Sequence, residues 1–307
     1  MHWESILKEF VARAEAEQLP IEGIALADGE ALLFKHCFIP ELPRNIYSHT
    51  KSYMATAAGI AIDEGKLSLT DRLADFFPEA LPSSPDERLL RITLRDLLTM
   101  SSGFGKPLLM GADRRKGAGF PDYMAYMLGQ PMLDEPGKHF LYSTADSILA
   151  GRMIEKAVGM NLGSYLYEKV FAPLSQGWPM WENCPMGHPI GGGGMFMTLS
   201  DMLKIGQVYL NGGTFGGRRI VSEDWVKAAS SLQIDTGDNP EGNIWKCGYG
   251  YQFWLSPYPG AYRADGAYGQ VTTVLPEKGL VVAFQCPEIG DFERVKLALH
   301  QQVFTQL

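Results

Sequence analysis

Ser48-His49-Thr50-Lys51 matches S-x-x-K, a spacing at which a lysine amine can serve a serine hydroxyl. At i and i+3 the two side chains share one helix face, roughly 5–6 Å apart at Cβ. A serine hydroxyl is a weak nucleophile until a neighbour takes its proton. A lysine can take it only where burial depresses its pKa toward neutrality. The pattern itself carries little information, because seventeen serines and fourteen lysines in 307 residues give about 0.8 matches by chance. A second match, Ser5-Ile6-Leu7-Lys8, falls on the polar side of an opening helix, where its lysine would be solvated and protonated. Context separates the two. Ser48 follows the strand-like Asn45-Ile46-Tyr47 and opens a segment, Tyr53 to Ile62, that is apolar on every side and reads as a buried helix. The N-terminus of such a helix aims free N–H groups at any oxyanion formed nearby. The plainer alternative makes Ser48 a helix cap and Lys51 a surface charge, and these residues alone leave the two readings level.

Tyr142-Ser143-Thr144 precedes a helical stretch, and a tyrosine beside the lysine could hold or relay the serine proton. Taken alone, one tyrosine among thirteen is better read as core packing. Ala264-Asp265-Gly266-Ala267 lies in a late strand region, where a glycine often marks the close approach of a ligand or another backbone. A strand edge there could offer a second oxyanion N–H and pair with an extended substrate, although a bulged hairpin fits equally well. Other catalytic patterns are absent: there is no G-x-S-x-G, no G-x-x-x-x-G-K-[ST] and no H-E-x-x-H. Cys184 with His188 is the sole spacing reminiscent of metal ligands, and two ligands do not make a site. No metal site is expected.

The elements that must position these groups fall into an order. Trp3 to Ala14 has the spacing of an amphipathic helix, and strands are expected at Gly23–Ala27 and Ala31–Phe38, split by Asp28-Gly29. Residues 66 to 186 read as helices and loops. Thr93 with Asp96 forms a capping-box pattern, Ala145–Val158 is a helix stopped by Gly159, and Asn161 caps the next. Residues 101 to 121 carry five glycines and no periodicity, and Leu108, Leu109 and Met110 make this loop a candidate cover for a groove. Thr198 caps another helix. Strands are then expected at Tyr249–Leu255, Ala261–Asp265, Val271–Leu275 and Leu280–Gln285, before a closing helix capped by Asp291. With strands at both chain ends, the simplest fold joins them in one antiparallel sheet flanked by the terminal helices.

Composition excludes several functions. Lys plus Arg is 27 against 35 Asp plus Glu, for a formal charge of −8, and the longest basic cluster is Arg114-Arg115-Lys116. Nucleic acid and anionic membrane are therefore poor partners. The longest uncharged run, Asn183 to Ser200, holds seven Gly or Pro and could not span a bilayer as a helix. The first twenty residues carry Glu4, Lys8, Glu9, Arg13, Glu15 and Glu17, which leaves no apolar signal core. The four cysteines are scattered without a C-x-x-C pair. Both features lead us to expect reduced thiols and a cytoplasmic location.

The collinear order of motifs says more than any one of them. Ser48-His-Thr-Lys51 is followed by Gly65-Lys66-Leu67-Ser68-Leu69-Thr70-Asp71, then by Ile92-Thr93-Leu94-Arg95-Asp96-Leu97-Leu98-Thr99-Met100-Ser101-Ser102-Gly103. Tyr142-Ser-Thr144, Gly192-Gly193-Gly194-Met195 to Thr198-Leu-Ser-Asp201, and Gly266-Ala-Tyr-Gly269-Gln270 complete the series. From about residue 20 to 285 the chain resembles the class C β-lactamase-like serine hydrolases, which include DD-peptidases of the penicillin-binding-protein type, carboxylesterases and D-amino-acid amidases. The resemblance implies an α+β fold in a single catalytic domain. An α/β lobe with a central antiparallel sheet (about 1–65 and 187–307) would meet an all-helical lobe (about 66–186) at the active-site groove. By position, Ser48 would be the acylated nucleophile, Lys51 the proton acceptor and Tyr142 the group that passes the proton to the leaving group. Ser48 and Ala267 would supply the oxyanion N–H groups, while Thr144, Ala264, Asp265 and Gly266 would contact substrate.

Two departures from the family pattern shape the expected substrate. Thr144 stands where the Y-x-N motif has an amide, and Ala264-Asp265-Gly266 stands where K-T-G or H-x-G supplies a cation for a drug's carboxylate. Strand alternation puts Arg263 on the opposite face from Ala264. A small neutral ester or amide, or an amine-bearing substrate drawn by Asp265, is therefore expected in preference to a β-lactam. Six aromatic residues, Trp178, Trp181, Trp245, Tyr251, Trp254 and Tyr268, are candidates for a semi-apolar pocket. A DD-peptidase or β-lactamase proper, and a catalytically silent ligand-binding relative, are the alternatives. The oligomeric state is left open.

Overall fold

The computed structural model describes residues 2–115, 120–237, 243 and 246–307. In chain order the N-terminal part comprises α1 (His2–Ala16), β1 (Gly23–Ala27), β2 (Leu32–Cys37), β3 (Arg44–Asn45) and α2 (Thr50–Asp63). A helical stretch follows: α3 (Leu73–Phe76), α4 (Leu94–Leu98), α5 (Gly111–Arg115), α6 (Tyr123–Leu128), α7 (Thr144–Val158) and α8 (Leu162–Leu166). The remainder holds β4 (Phe196–Met197), α9 (Leu199–Leu210), β5 (Thr214–Phe215), β6 (Arg218–Arg219), α10 (Glu223–Ala229), β7 (Trp254–Leu255), β8 (Tyr262–Gly266), β9 (Gln270–Leu275), β10 (Leu280–Gln285) and α11 (Phe292–Leu299).

Six strands form one antiparallel sheet in the order β2-β1-β10-β9-β8-β7. The two ends of the chain meet at its centre, where β1 pairs with β10 from Gly23↔Gln285 to Ala27↔Val281. Period-two alternation divides the sheet's faces. Ile24, Leu26, Val282 and Phe284 pack with α1 and α11 residues such as Phe10 and Leu299. Ala25, Ala27, Val281 and Ala283 face the opposite way, into the core that holds α2, α7 and α9. Small residues on that face let α9 lie close to the sheet, and a Cβ on Gly206 would stand 2.7 Å from the Thr272 methyl. The expected antiparallel sheet flanked by helices is the observed fold.

Local signals set most boundaries. Thr93 and Asp96 form the full capping box, Asn161 accepts from Gly163 N at 2.9 Å, and Thr198 accepts from Asp201 N at 3.1 Å. Gly159 ends α7 in the left-handed conformation, φ 68°. Asp291 precedes α11 without making a side-chain cap bond. The strand expected at Tyr249–Leu255 shrinks to two residues, because Gln252 adopts φ 62° and turns inward. Its amide spans buried helices: Nε2 donates to Leu98 O at 2.8 Å, and Oε1 accepts from Ser147 Oγ at 2.7 Å. Among the described residues no helix is long and apolar enough to cross a membrane.

α2 is buried from Thr50 through Ala61, so its placement fixes the site. Gly59 lies flat against the Trp225 indole, and an added Cβ would overlap that ring. Alanine in place of glycine normally gains about 1 kcal/mol in a helix, whereas overpacking a core costs about 1–3 kcal/mol. Denaturant unfolding of Gly59→Ala is expected to show a net loss of up to about 2 kcal/mol, the clash outweighing propensity.

Candidate active site

The two S-x-x-K matches have opposite environments. Lys8 is 66% exposed and paired with Glu4, and Ser5 hydrogen-bonds to Glu9, as expected of a solvated helix face. Ser48 sits in a tight 3-10 turn, Tyr47–His49, directly before α2. Tyr47 holds φ 47°, a left-handed conformation that costs a residue with a side chain of this bulk. The turn is held by Asn45 Oδ1, which accepts from Tyr47 N at 2.9 Å, and by Ile46 N, which donates to Met195 O at 2.8 Å. Gly266 closes the other side, where any Cβ would overlap the Ile46 carbonyl oxygen. Gly266 therefore brings β8 up against the turn and leaves no side chain to meet a substrate.

Lys51 is 1% exposed, and its Nζ lies 3.2 Å from Ser48 Oγ and 2.6 Å from the Gly192 carbonyl oxygen. Burial is the chief cause that brings its pKa from the ordinary lysine value down to about 7, and the charge of Arg114 adds to it. Tyr142 lines the same groove as Ser48, and its ring centroid is 5.1 Å from Lys51 Nζ. Burial pushes the Tyr142 phenol well above its usual value, so it stays protonated at neutral pH. Trp254 stacks on Tyr142, with ring centroids 5.4 Å apart. His49, between Ser48 and Lys51 in sequence, turns away into the core, where Nε2 meets Thr272 Oγ1 at 2.9 Å. Its burial drops the imidazole pKa to about 4 and leaves the ring neutral.

Ser48, Tyr142, Trp254, Arg263, Asp265 and Ala267 line one groove of about 430 Å³, within the ordinary size of a small-molecule site. Met110, Asn243, Lys246, Glu293 and Lys296 complete its described walls. Two positions on β8 differ from the expectation. Ala264 is 2% exposed and belongs to the core, while Arg263 and Asp265, two residues apart on β8, line the groove. Alternation between 263 and 264 is as expected, but the faces are exchanged. Asp265 is also paired: Arg263 Nε donates to its Oδ2 at 2.8 Å. That ion pair removes the free negative charge expected to attract an amine. Thr144 is 3% exposed at the start of α7, with Oγ1 against Met110 Sδ at 3.4 Å, and it does not line the groove.

The loop residues Leu108 and Leu109 are each 1% exposed, so they plug the core instead of covering the groove; Met110 alone of the three lines it. Ser143 Oγ accepts from Leu108 N and Ala145 N donates to Leu108 O, both at 3.1 Å, which ties the loop to the start of α7. Of the six aromatics, Trp254 lines the groove and Tyr268 packs on Tyr47 beside Ser48. Tyr251 stacks on Trp225, Trp181 bonds to the carbonyls of Ile190 and Gly193, and Trp178 rests on Tyr167. Trp245 lies outside the described residues, as do Lys116 and residues 117–119 of the loop. Cys184 and His188 close a turn, and His188 Nδ1 pairs with Glu155 at 2.9 Å.

Two features received no site role from the sequence. Gly191 to Gly194 form a bare backbone wall, and a Cβ on Gly192 would stand 3.1 Å from Lys51 Nζ and 2.8 Å from the Thr144 methyl. A run of four glycines was the available signal. Arg114, within the basic cluster, reaches that wall from α5 and left no trace in spacing.

A family model described as Beta-lactamase matches residues 40–286. The chain is 22% identical over 271 residues to the 6-aminohexanoate-dimer hydrolase of Paenarthrobacter ureafaciens, in a match covering 80% of this chain and 66% of that relative. It thus spans about two thirds of the relative's length. Its structure is similar to EstCE1, described as a hydrolase with promiscuous acyltransferase activity, at TM-score 0.76 and 18% identity over 99% of this chain and 98% of the other. A family VIII carboxylesterase matches at TM-score 0.75 and 19% identity over 100% and 98% of the two chains. At these identities both structural likenesses speak for the fold.

The site's electrostatics have a direct readout. NMR of labelled lysine side chains, assigned with Lys51→Met, is expected to find the Lys51 amine titrating at about 7. A titration in the ordinary lysine range near 10.4 would contradict the desolvated amine described above.

Proposed function

The chain belongs to the β-lactamase family, whose members are hydrolases and mostly serine-dependent, and from that premise we propose that it hydrolyses small esters or amides through an acyl-enzyme on Ser48. The observation that carries the reading is the buried Lys51 amine 3.2 Å from Ser48 Oγ. With a pKa of about 7, the amine is substantially neutral at physiological pH and can accept the serine proton. Tyr142 is not available as a base at neutral pH, because burial keeps its phenol protonated, but it is a proton donor on the wall of the groove that holds Ser48.

The steps follow from these states. Lys51 takes the proton as Ser48 Oγ attacks the substrate carbonyl carbon. The backbone N–H groups of Ser48 and Ala267, on the walls of the same groove, are the donors for the oxyanion. Tyr142 gives its proton to the departing oxygen or nitrogen and recovers one from Lys51. Water then attacks the acyl carbon with the same groups assisting, and Ser48 leaves with its hydroxyl restored. No step draws on a metal or organic cofactor.

The groove's charge favours a neutral or anionic substrate over a cationic one. Its described walls carry Lys246, Arg263 and Lys296 against Asp265 and Glu293. Those three cations are also the specific observation behind a second reading, a β-lactamase or DD-peptidase proper, since a carboxylate could be held there. The first reading is preferred because Arg263 is engaged by Asp265 and by Leu255 O at 2.6 Å, and Lys296 by Glu293 at 3.1 Å.

Steady-state assays with a short-chain p-nitrophenyl ester and a chromogenic cephalosporin test both readings. Wild type is expected to turn over the ester, Ser48→Ala to lose at least about 10³-fold, and the cephalosporin to react far more slowly. Ester turnover retained in Ser48→Ala would overturn the nucleophile, and rapid cephalosporin hydrolysis would select the second reading. The pH profile has a fixed sign. Protonation of Lys51 removes the base, so ester kcat/KM is expected to fall tenfold per pH unit below about 7.

A further inference from the structure

Three successive glycines each seat a charged side chain. A Cβ on Gly192 would stand 3.1 Å from Lys51 Nζ, one on Gly193 3.3 Å from Arg114 Nη2, and one on Gly194 2.7 Å from Glu182 Oε2. One short stretch of bare backbone therefore seats an amine, a guanidinium and a carboxylate on successive residues. The guanidinium is fixed by three bonds. Nη1 donates to Leu109 O at 2.8 Å, and Nε and Nη2 donate to the two Glu182 oxygens at 3.1 Å each. The Arg114 side chain is only 9% exposed, whereas Glu182 is 41% exposed and its charge is better screened.

Arginine does not lose its proton in proteins, so this is a permanent positive charge seated one residue along the backbone from a lysine that must be neutral to work. We propose that Arg114, braced by Glu182 and seated on Gly193, is a positioning residue that holds the Lys51 amine in its neutral, proton-accepting form. The proposal rests on the reading of Lys51 as the base.

The other groups facing Lys51 do not supply this repulsion. From α2 and its preceding turn come the Ser48 hydroxyl and His49, whose ring is neutral and directed at Thr272. Tyr142 faces Nζ as a protonated phenol. Asp146, buried on α7 with Ser102 Oγ donating to it at 2.8 Å, acts in the opposite direction and favours the charged amine. Burial pushes the Asp146 carboxyl up to about 7, so it is only partly ionised at neutral pH. Across the groove, Arg263 and Asp265 offset each other at 2.8 Å. Arg114, seated on the glycine next to the one that seats Lys51, is the charge that disfavours the ammonium.

The test compares kcat/KM against pH for wild type, Arg114→Gln, Arg114→Lys and Lys51→Ala with a p-nitrophenyl ester, after thermal melts establish that each variant is folded. Arg114→Gln is expected to move the acid limb upward by about 0.5–1 pH unit and to approach wild-type rates at high pH. Arg114→Lys keeps the charge but loses the two-pronged grip on Glu182, and its limb is expected to stay close to wild type. An unmoved limb with uniformly lower rates in Arg114→Gln, or a limb displaced equally in both Arg114 variants, would make Arg114 a brace and overturn the proposal. Failure of the underlying reading has a separate signature. An active Lys51→Ala with the wild-type acid limb removes Lys51 as the base, whatever Arg114 does. Should Arg114→Gln prove unstable, the Lys51 titration followed by NMR in Arg114→Lys decides. A value near the wild-type one supports the proposal, and a rise like that sought in Arg114→Gln contradicts it.

Discussion

A lysine amine withdrawn from water beside a serine hydroxyl is the constraint on which the rest of the structure depends. An ammonium so placed would lose much of its hydration, and among the described residues no carboxylate forms an ion pair with it. The amine answers by losing its proton near neutrality. What remains polar is met by the Gly192 carbonyl at 2.6 Å, a contact that needs a backbone able to approach without side chains in the way. The four-glycine run provides that approach.

Much of the fold can be understood as the means of keeping that amine dry and correctly aimed. α2 is enclosed from Thr50 to Ala61, with the Trp225 indole pressed flat on Gly59 and α7 alongside. The sheet presents small residues toward this core and large ones toward α1 and α11, so the helices that carry the site can sit close. Gly266 lets β8 abut the turn that holds Ser48, and the left-handed Tyr47 turns the chain from β3 into α2. The strained residue, the unhydrated amine and the glycine wall meet within one short stretch around the groove. Strain and desolvation concentrate there, as expected where a structure trades local stability for chemistry.

The fold was legible in the sequence because its signals are local. Period-two strands, capping residues at Thr93, Asn161 and Thr198, and an all-apolar helix identified most elements, and the strands at both chain ends implied the shared sheet. Family membership was legible from the order of motifs. What escaped depended on three-dimensional proximity. Alternation correctly separated Arg263 from Ala264, but it could not say which face of β8 borders the groove, so the ion pair that neutralises Asp265 was missed. Leu108 and Leu109 looked like cover for a groove because they lie in a loop without periodicity. They are core residues held by hydrogen bonds to the start of α7. Arg114 reaches the wall behind Lys51 from a segment more than sixty residues away, and no spacing rule connects the two.

The central claim is that a neutral Lys51 makes Ser48, alone among the seventeen serines, a nucleophile. Its most direct test is covalent trapping with a fluorophosphonate, the adduct located by peptide mass mapping and its formation rate followed from pH 5 to 9. The account predicts a single adduct on Ser48 whose rate rises with one ionisation at about 7. An adduct elsewhere, no adduct at all, or a rate on Ser48 that ignores pH across that range would contradict it.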